Sequence, residues 1–518
     1  MNSKLFLASL CVATVARLGF AAETATVRFS LDADKPGAVI NRNVYGQFAE
    51  HLGRCIYEGI WVGEQSPIPN TRGYRNDVVA ALKTLQVPLL RWPGGCFADE
   101  YHWKDGIGPR ESRPAMINTH WGGVVENNHF GTHEFLDFCE LIGAEPFVCL
   151  NVGSGTVQEA MEWVEYMTSD AQSPMANLRR KNGREKSWRV RYVAVGNESW
   201  GCGGTMRPEF YADNFRRYNT FIKNYSPDYR IYRVACGPNG DNYAWTETLM
   251  KEAARWMNGL ALHNYTLPTG NWQKKGSSTQ FSEDEYFSTL RNAVRMDELI
   301  TKHLAIMDQA DPRKRVDLVV DEWGVWTDVE PGTNRGFLYQ QDTLRNAIVA
   351  ALHLHIFQKH AARVSMANIA QMINVLQAMI LTEKEKMLLT PTYHVFEMFK
   401  VHQGATSLPV EVSSPDYARA AQKLAAVSVS ASRDAAGKIH VSLVNADPSR
   451  DFQVSAQLSG VRANRATGRI LTAAAVAAHN TFAAPDTVKP VAFTAATISG
   501  EKLDLMLPAK SIVMVELN

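Results

Sequence analysis

The stretch that most constrains the fold is Arg191-Tyr-Val-Ala-Val-Gly-Asn-Glu-Ser-Trp-Gly201. It opens with a short run of β-branched and apolar residues, which is typical of a buried strand. The run then ends in Gly196-Asn197-Glu198, where the chain leaves the sheet. A carboxylate that follows a buried parallel strand occupies the position at which (β/α)₈ barrels carry their catalytic groups. The alternative to a catalytic role is an ordinary turn with a solvated carboxylate.

A second stretch, Val316-Asp-Leu-Val-Val-Asp-Glu-Trp-Gly324, repeats this pattern and carries Glu322 at its end. Taken alone, Asp321-Glu322 is equally typical of the first residues of a helix. Taken together, two strand-end glutamates that are distant in sequence form the acid and nucleophile pair that glycoside hydrolysis requires. A tryptophan lies near each glutamate, and aromatic rings pack against sugar faces as well as in ordinary cores.

Six further apolar segments bring the number of predicted parallel strands to eight. They begin near Val44, Val87, Pro146, Tyr232, Gly259 and Ala362. Most are continuous apolar runs separated by helical patterns, as a parallel sheet covered on both faces requires. The segment 96–131 is a long aromatic loop, and loops of this length within compact domains are usually functional. We therefore predict an α/β fold, a (β/α)₈ TIM barrel, across residues 39–400.

The pattern changes near residue 400, where short alternating segments separated by turn residues replace helical periodicity. These segments are Leu424–Ser430, Ile439–Val444, Phe452–Leu458 and Ile512–Leu517. They predict an all-β domain, a jelly roll or sandwich, across residues 401–518. Residues 24–32 also alternate between apolar and polar side chains. Because this early strand has no obvious partner in the barrel, we predict that residues 22–38 pair with the C-terminal β domain.

Charge and composition restrict the possible partners. The 518 residues carry a formal net charge of +1, and no basic stripe is present, so the sequence gives no electrostatic case for nucleic acid. No motif for an organic cofactor was found. The residues His129, His133 and Glu134 do not have the spacing of a common zinc site. We expect neither a cofactor nor a metal.

The first residues predict export. Lys4 precedes the apolar run Leu5–Val15, and Gly19-Phe20-Ala21 offers the small residues that a signal peptidase prefers. The run is too short to span a membrane. We predict a signal peptide at residues 1–21 and a mature protein that is periplasmic or extracellular, with no membrane attachment after cleavage.

Seven cysteines are present, and Cys11 belongs to the predicted signal peptide. The remaining six are Cys55, Cys96, Cys139, Cys149, Cys202 and Cys236. They form no Cys-x-x-Cys motif and no dense framework. In an exported protein some could pair, and others could be small buried hydrophobic residues. The sequence leaves the pairing open.

Five motifs together resemble glycoside hydrolase family 51, whose best-known members are α-L-arabinofuranosidases. They are Tyr45-Gly-Gln-Phe-Ala-Glu-His-Leu-Gly-Arg-Cys-Ile-Tyr-Glu-Gly59, Leu90-Arg-Trp-Pro-Gly-Gly95, Asp105-Gly-Ile-Gly-Pro109, Val195-Gly-Asn-Glu198 and Val320-Asp-Glu-Trp323. The resemblance runs from about residue 24 to the C-terminus and keeps the order of the motifs. As a set these motifs are specific, whereas any one of them is not.

The resemblance implies a barrel with a C-terminal jelly roll and a reaction that retains the anomeric configuration. It implies that Glu198 is the acid/base and Glu322 the nucleophile. The positions that it implies for sugar binding are Glu50, Arg91, Asn197, His263, Tyr265, Trp326 and Gln371. Many members carry Asn where this chain has Cys96, so Cys96 is expected to line the pocket with a weaker hydrogen bond to the sugar. Trimers or hexamers are common in the family, which makes a homo-oligomer an expectation.

The expected substrate is a polysaccharide or oligosaccharide with terminal α-L-arabinofuranosyl groups, such as arabinoxylan or arabinan. Two other activities on the same scaffold, β-xylosidase and endo-β-glucanase, remain alternatives. A carbohydrate-binding protein with an inactive site is a further alternative, although the intact Glu198 and Glu322 argue against it. A barrel aldolase or isomerase would need a Schiff-base lysine or a metal cluster at a strand end, and the sequence offers neither.

Overall fold

The computed structural model describes residues 26–518, and the predicted signal peptide lies outside the described residues. Eight parallel strands close into a barrel, each paired with its neighbours in chain order. The strands are β1 (Gly46–Phe48), β2 (Leu89–Trp92), β3 (Glu145–Leu150), β4 (Tyr192–Val195), β5 (Tyr232–Ala235), β6 (Gly259–Thr266), β7 (Asp317–Val325) and β8 (Val364–Ala370). Pairing of β8 with β1 closes the sheet, so the barrel has no open edge. The predicted (β/α)₈ barrel is confirmed.

Helices alternate with these strands along the chain. The α-helices among residues 26–518 are Asn76–Leu85, Thr132–Ile142, Val157–Thr168, Pro174–Lys181, Pro208–Phe221, Tyr243–Ala253, Glu283–Ala310, Leu344–Lys359 and Pro391–Phe399. Local sequence explains several of their starts. The longest helix begins after Ser282, whose hydroxyl accepts from the Glu285 amide while the Glu285 carboxylate accepts from the Ser282 amide. Across the described residues, no helix combines the length and apolar character that crossing a membrane requires.

The barrel interior is filled with apolar side chains. One buried cluster takes residues from β2 to β8, including Leu89, Phe147, Val234, Val319 and Met366. Each of these side chains is at most 1% exposed. A packed interior leaves the carboxyl ends of the strands as the place where polar groups from different strands can meet.

The C-terminal domain contains two β-sheets. The five-stranded sheet has the order Val410–Ser413, Thr26–Asp32, Phe452–Ser459, Lys502–Leu507 and Ala496–Ser499. The six-stranded sheet has the order Thr406–Leu408, Val427–Arg433, Ile439–Asn445, Ser511–Leu517, Ala466–Leu471 and Val491–Phe493. The N-terminal strand Thr26–Asp32 is therefore an interior strand of the first sheet, and it pairs in parallel with Phe452–Ser459.

Shorter strands form four small antiparallel pairs. They are Asn70–Thr71 with Tyr74–Arg75, Met116–Ile117 with Val125–Glu126, Ile380–Glu383 with Lys386–Leu389, and Asp416–Arg419 with Gln422–Ala425. The pair Met116–Ile117 and Val125–Glu126 lies within the long loop 96–131 and gives it internal structure.

The six-stranded sheet packs against the helix Leu344–Lys359 of the barrel. His355 on that helix is 5% exposed, and its two ring nitrogens lie 2.9 Å from the hydroxyls of Ser428 and Ser442. Burial lowers the pKa of His355 to about 3, so the ring is neutral at ordinary pH. The helix and the sheet therefore meet at a buried polar side chain whose two ring nitrogens both have hydrogen-bond partners.

Candidate active site

The ten predicted site residues all lie at the carboxyl end of the barrel, on strands β1, β2, β4, β6, β7 and β8 or on the turns that follow them. Seven line one pocket: Glu50, Cys96, Glu198, Tyr265, Glu322, Trp326 and Gln371. The others, Arg91, Asn197 and His263, lie behind this wall and are at most 5% exposed. Leu52, Gly95, Trp121, Leu338 and Leu376 complete the lining.

Glu198 and Glu322 face each other across this pocket. A carboxylate oxygen of Glu198 and one of Glu322 lie within 4.8 Å of each other. Glu198 follows β4 on a tight turn and has a φ of +40°, a left-handed conformation that is uncommon for residues other than glycine. Retaining glycosidases place their two carboxyl groups roughly 5–5.5 Å apart, whereas inverting enzymes leave room for a water between them. The spacing here fits attack by a carboxylate on a sugar carbon.

Two donors hold the Glu322 carboxylate. Arg91 Nη1 donates to Oε1 at 2.8 Å, and the Tyr265 hydroxyl donates to Oε2 at 2.9 Å. The other terminal nitrogen of Arg91 donates to the Asn197 side-chain oxygen at 2.6 Å. Burial alone would lower the pKa of Arg91, but the charges of Glu322 and Asp321 outweigh it and raise the pKa. The guanidinium is therefore always charged, and its hydrogen bond to Glu322 is charge-assisted.

His263 lies between the carboxylates. Its Nδ1 is 2.9 Å from Glu198 Oε1 and 3.5 Å from Glu322 Oε2, and its Nε2 is 3.3 Å from Asp321 Oδ1. Burial would lower the pKa of His263, but the charges of Glu322 and Asp321 raise it to about 10. The imidazole is therefore cationic at neutral pH.

Glu198 has the environment of a general acid. Burial raises its pKa, and the charge of Glu322 acts in the same direction, while the bond to His263 opposes both. The net direction is upward, so the site favours the protonated form of Glu198.

Glu50 also lines the pocket. Its Oε1 accepts from the Trp121 indole at 2.8 Å and the Phe97 amide at 3.1 Å, and its Oε2 accepts from Gln371 Nε2 at 2.8 Å. Burial raises the pKa of Glu50 to about 7, with a further contribution from the charge of Glu322. A buried carboxylate with fixed orientation is suited to accepting hydrogen bonds from sugar hydroxyls.

An aromatic wall stands beside Glu322. The Tyr265 and Trp326 rings meet edge to face with centroids 4.9 Å apart, and Trp272 packs on Trp326 at 5.2 Å. Trp121 also lines the pocket, whereas Trp103, another aromatic of the long loop, is buried in the core and donates to the Glu159 carbonyl. Of these two loop tryptophans, only Trp121 lines the pocket.

Cys96 is bonded to Cys202 through a disulfide that joins the turn after β2 to the turn after Glu198. The sequence had left this pairing open. The other cysteines among residues 26–518 are free and buried: Cys55, Cys139, Cys149 and Cys236. Cys96 therefore lines the pocket as half of a cystine, and it has no thiol to offer a sugar while that bond is intact.

Three contributors to the site were not foreseen from the sequence. Asp99 is buried and accepts from the amides of Val152, Gly153 and Asn197 at 2.8–3.0 Å, which ties the turns after β3 and β4 together. Asp321 contacts Arg91 and His263, and Cys202 contacts Glu198. The position of Asp321 next to Glu322 was a signal that the sequence offered. Side chains alternate along a regular strand, however, so consecutive residues are expected on opposite faces.

Comparison with known proteins gives one consistent result. The family described as "Alpha-L-arabinofuranosidase 1 domain" matches residues 81–285, and that described as "Alpha-L-arabinofuranosidase C-terminal domain" matches residues 321–511. A relative from Bacteroides ovatus, named an intracellular exo-alpha-L-arabinofuranosidase, is 52% identical over all of both chains.

Comparison with solved structures gives the same result. The GH51 arabinofuranosidase from Xanthomonas axonopodis pv. citri is 54% identical, with a TM-score of 0.94 over 95% of this chain and 100% of that one. The alpha-L-arabinofuranosidase from Thermotoga maritima, solved as an arabinose complex, is 31% identical, with a TM-score of 0.84 over 95% of this chain and 100% of that one.

The predicted export of the chain is wrong in the light of these relatives. The protein from Bacteroides ovatus matches this chain along its whole length and is named intracellular. The prediction depended on the apolar run Leu5–Val15 beside Lys4, which is followed closely by Arg17. A run of this kind reports only local composition and does not by itself determine export. The signal peptide and the periplasmic or extracellular location are therefore not retained.

Proposed function

Because the chain belongs to the α-L-arabinofuranosidases of glycoside hydrolase family 51, we propose that it releases terminal non-reducing α-L-arabinofuranosyl groups with retention of configuration. Its proposed substrates are arabinose-containing polysaccharides and oligosaccharides such as arabinoxylan or arabinan. The observation that carries the proposal is the pair Glu198 and Glu322, whose carboxylate oxygens approach within 4.8 Å in one pocket.

In the first step Glu322 attacks C1 of the arabinofuranose, and the bond from C1 to the glycosidic oxygen breaks. Glu198 gives its proton to that oxygen, so the leaving alcohol departs neutral. The product of this step is an ester between the sugar and Glu322. The bonds from Arg91 and Tyr265 support the role of Glu322, because they hold its two carboxylate oxygens in a fixed position.

In the second step Glu198, now ionised, takes a proton from water, and the water oxygen attacks C1. The ester bond breaks, Glu322 leaves as a carboxylate, and arabinose departs with its original configuration. His263 supports this change of roles, because its charge stabilises the ionised form of Glu198 after the proton has left. Each step inverts C1 once, and two inversions give retention.

Glu50, Gln371 and Asn197 are proposed to bind the sugar. Glu50 would accept from its hydroxyls, and Asn197 would contact the 2-hydroxyl, an interaction that strengthens in the transition state. Glu50 is 2% exposed, so it is suited to contacting the hydroxyls of a terminal sugar that enters the pocket. Binding of a terminal sugar corresponds to exo action. An endo-β-glucanase needs an open cleft instead.

Hydrolysis of p-nitrophenyl α-L-arabinofuranoside tests the proposal directly. Proton NMR of the first product formed should show the α anomer, followed by slow mutarotation. Parallel assays with p-nitrophenyl β-D-xylopyranoside and an aryl β-cellobioside address the xylosidase and glucanase alternatives. Binding of arabinose without turnover of any of these substrates would favour an inactive carbohydrate-binding protein. Assays on arabinoxylan and arabinan then identify the preferred polymer.

A further inference from the structure

The disulfide between Cys96 and Cys202 lies directly against the proposed acid/base. The Cys202 sulfur is 3.5 Å from Glu198 Oε2, and both Cys96 and Glu198 line the pocket. All three residues are partly exposed, so small solutes can reach them. One atom from each, two sulfurs and a carboxylate oxygen, lies within 4.8 Å of the other two.

The two turns that carry these sulfurs are also held together by noncovalent contacts. Asp99, at the end of the turn that begins with Cys96, accepts from the Asn197 amide at 3.0 Å. The Gly201 and Gly203 amides donate to the Glu198 carbonyl at 2.6 Å and 3.1 Å, which folds the segment with Cys202 back over Glu198. At Gly203 a Cβ atom would stand 1.9 Å from the Asn197 carbonyl oxygen, so this turn is closely packed. The sulfurs therefore stay near each other when the bond between them is cut.

We propose that, when this disulfide is reduced, Cys96, Cys202 and Glu198 form a binding site for a thiophilic divalent cation such as Zn²⁺. Zinc takes thiolate ligands at about 2.3 Å and carboxylate oxygens at about 2.0–2.2 Å, usually in tetrahedral arrangement. Three ligand atoms within 4.8 Å of one another can surround one such ion. The fourth position would face the pocket and hold water. This site is inhibitory and has no part in the proposed hydrolysis.

Reduction of the disulfide and binding of the cation need only a dithiol and the cation itself. A dithiol supplies two electrons and two protons, the bond between the sulfurs of Cys96 and Cys202 breaks, and the dithiol becomes a disulfide. The cation then displaces three protons, two from the thiols and one from Glu198, and it binds the two thiolates and the carboxylate. With its carboxylate bound to the cation, Glu198 has no proton to give to a leaving group. Binding of the cation is independent of the proposed function, whereas inhibition rests on it.

The remaining cysteines of the described chain do not compete for this role. Cys55, Cys139, Cys149 and Cys236 are buried and free. Burial raises the pKa of Cys55 to about 12, which opposes the thiolate form that a metal needs. None of the four belongs to a group of potential ligands among residues 26–518. A zinc response of the reduced protein therefore points to Cys96 and Cys202.

Calorimetric titration with Zn²⁺ tests the proposal on the full chain, once untreated and once reduced and desalted under inert gas. The reduced protein should bind about one equivalent with a Kd in the micromolar range or below, and the untreated protein should bind at least about tenfold more weakly. Co²⁺ in place of Zn²⁺ should give the near-ultraviolet charge-transfer absorption of thiolate ligands. Equal binding in both redox states, or the absence of that absorption, would overturn the proposal.

Substitutions of individual cysteines test where the cation binds. Cys202→Ser and Cys96→Ser should each weaken Zn²⁺ binding at least about tenfold in the reduced protein, whereas Cys139→Ser, a buried cysteine elsewhere, should bind like the parent. If a variant does not fold, the cobalt spectrum of the reduced parent still decides whether thiolates bind the cation. Arabinofuranoside hydrolysis, expressed relative to each variant's own metal-free rate, should fall with zinc and return with a chelator. If the chain binds zinc but hydrolyses no arabinofuranoside, the proposed function is contradicted and the proposed metal site is not.

Discussion

Nε2 of His263 lies 3.3 Å from Oδ1 of Asp321, and the other nitrogen of the same ring lies against Glu198. The imidazole therefore connects the proposed acid/base to a buried carboxylate that does not line the pocket. Asp321 and Glu322 together raise the pKa of His263 to about 10, despite burial. A fixed positive charge in this position is a property of the tertiary structure, and it has measurable consequences.

The charge on His263 should make stability depend on pH. The pKa is about 10 in the folded protein and 6.5 in the ordinary histidine. A raised pKa stabilises the folded state fully below about pH 6.5, and this stabilisation is lost as the pH rises through 10. The free energy of unfolding of the parent, measured by urea titration, should therefore fall from pH 6.5 to 10 relative to His263→Asn. His120→Asn, at an exposed position, is the control and should follow the parent. Parallel curves for parent and His263→Asn would refute the assignment.

Removal of the proposed nucleophile should abolish turnover. Glu322→Ala should lower kcat on aryl α-L-arabinofuranosides by roughly 10³-fold or more, because no covalent intermediate forms. Azide fits the space left by the carboxylate and should restore turnover to give a glycosyl azide of inverted configuration. Product configuration is read by NMR. Glu411→Ala, at an exposed position in the β domain, should behave like the parent. A retained product from Glu322→Ala with azide would exclude Glu322 as the nucleophile.

Removal of the proposed acid/base should separate substrates by leaving group. Glu198→Ala should keep a near-normal first step on a dinitrophenyl arabinofuranoside, whose leaving group needs no proton. On an arabino-oligosaccharide, kcat/KM should fall by roughly 10²–10⁴-fold, the usual contribution of a general acid. Steady-state kinetics on both substrates, with and without azide, measure this. An equal loss on both substrates would point to misfolding or to another role for Glu198.

The hydrogen bond from Trp121 to Glu50 should contribute to sugar binding. Trp121→Phe keeps an aromatic ring but removes the indole donor, 2.8 Å from Oε1. Loss of a hydrogen bond to a charged group should raise KM by about tenfold, with a smaller change in kcat. The pKa of Glu50 should rise further, since this bond lowers it. Trp256→Phe, at a tryptophan outside the pocket lining, serves as the matched control. An unchanged KM in Trp121→Phe would mean that Glu50 is held adequately without the indole.

Much of the architecture could be predicted because it depends on local patterns. Continuous apolar runs separated by helical periodicity indicate a parallel barrel, and each run was close to an observed strand. The predicted eighth strand, residues 362–369, is observed as Val364–Ala370. The positions of Glu198 and Glu322 followed from the same logic, since a residue that ends a barrel strand has to face the mouth.

The contacts behind the pocket were not predictable in this way. Between Val320 and Trp323 the pairing of β7 with β8 shifts register, which breaks the alternation of side chains. Asp321 and Glu322 can therefore both approach His263, although they are consecutive. The partner of Cys96 is Cys202, which lies in the turn after Glu198 at a sequence separation of 106 residues. Nothing in the spacing of the cysteines indicates that pair.

The sequence by itself determined the kind of fold and the two acidic residues at its mouth, because periodicity and strand ends are local properties of the chain. Tertiary structure alone decided how these groups are tuned. The pKa of His263, the fixed orientation of Glu50 and the bond between Cys96 and Cys202 all depend on which atoms from distant segments come within a few ångströms, in surroundings from which water is largely excluded. Coulomb and hydrogen-bond energies vary steeply over such distances, and no pattern along the chain encodes them.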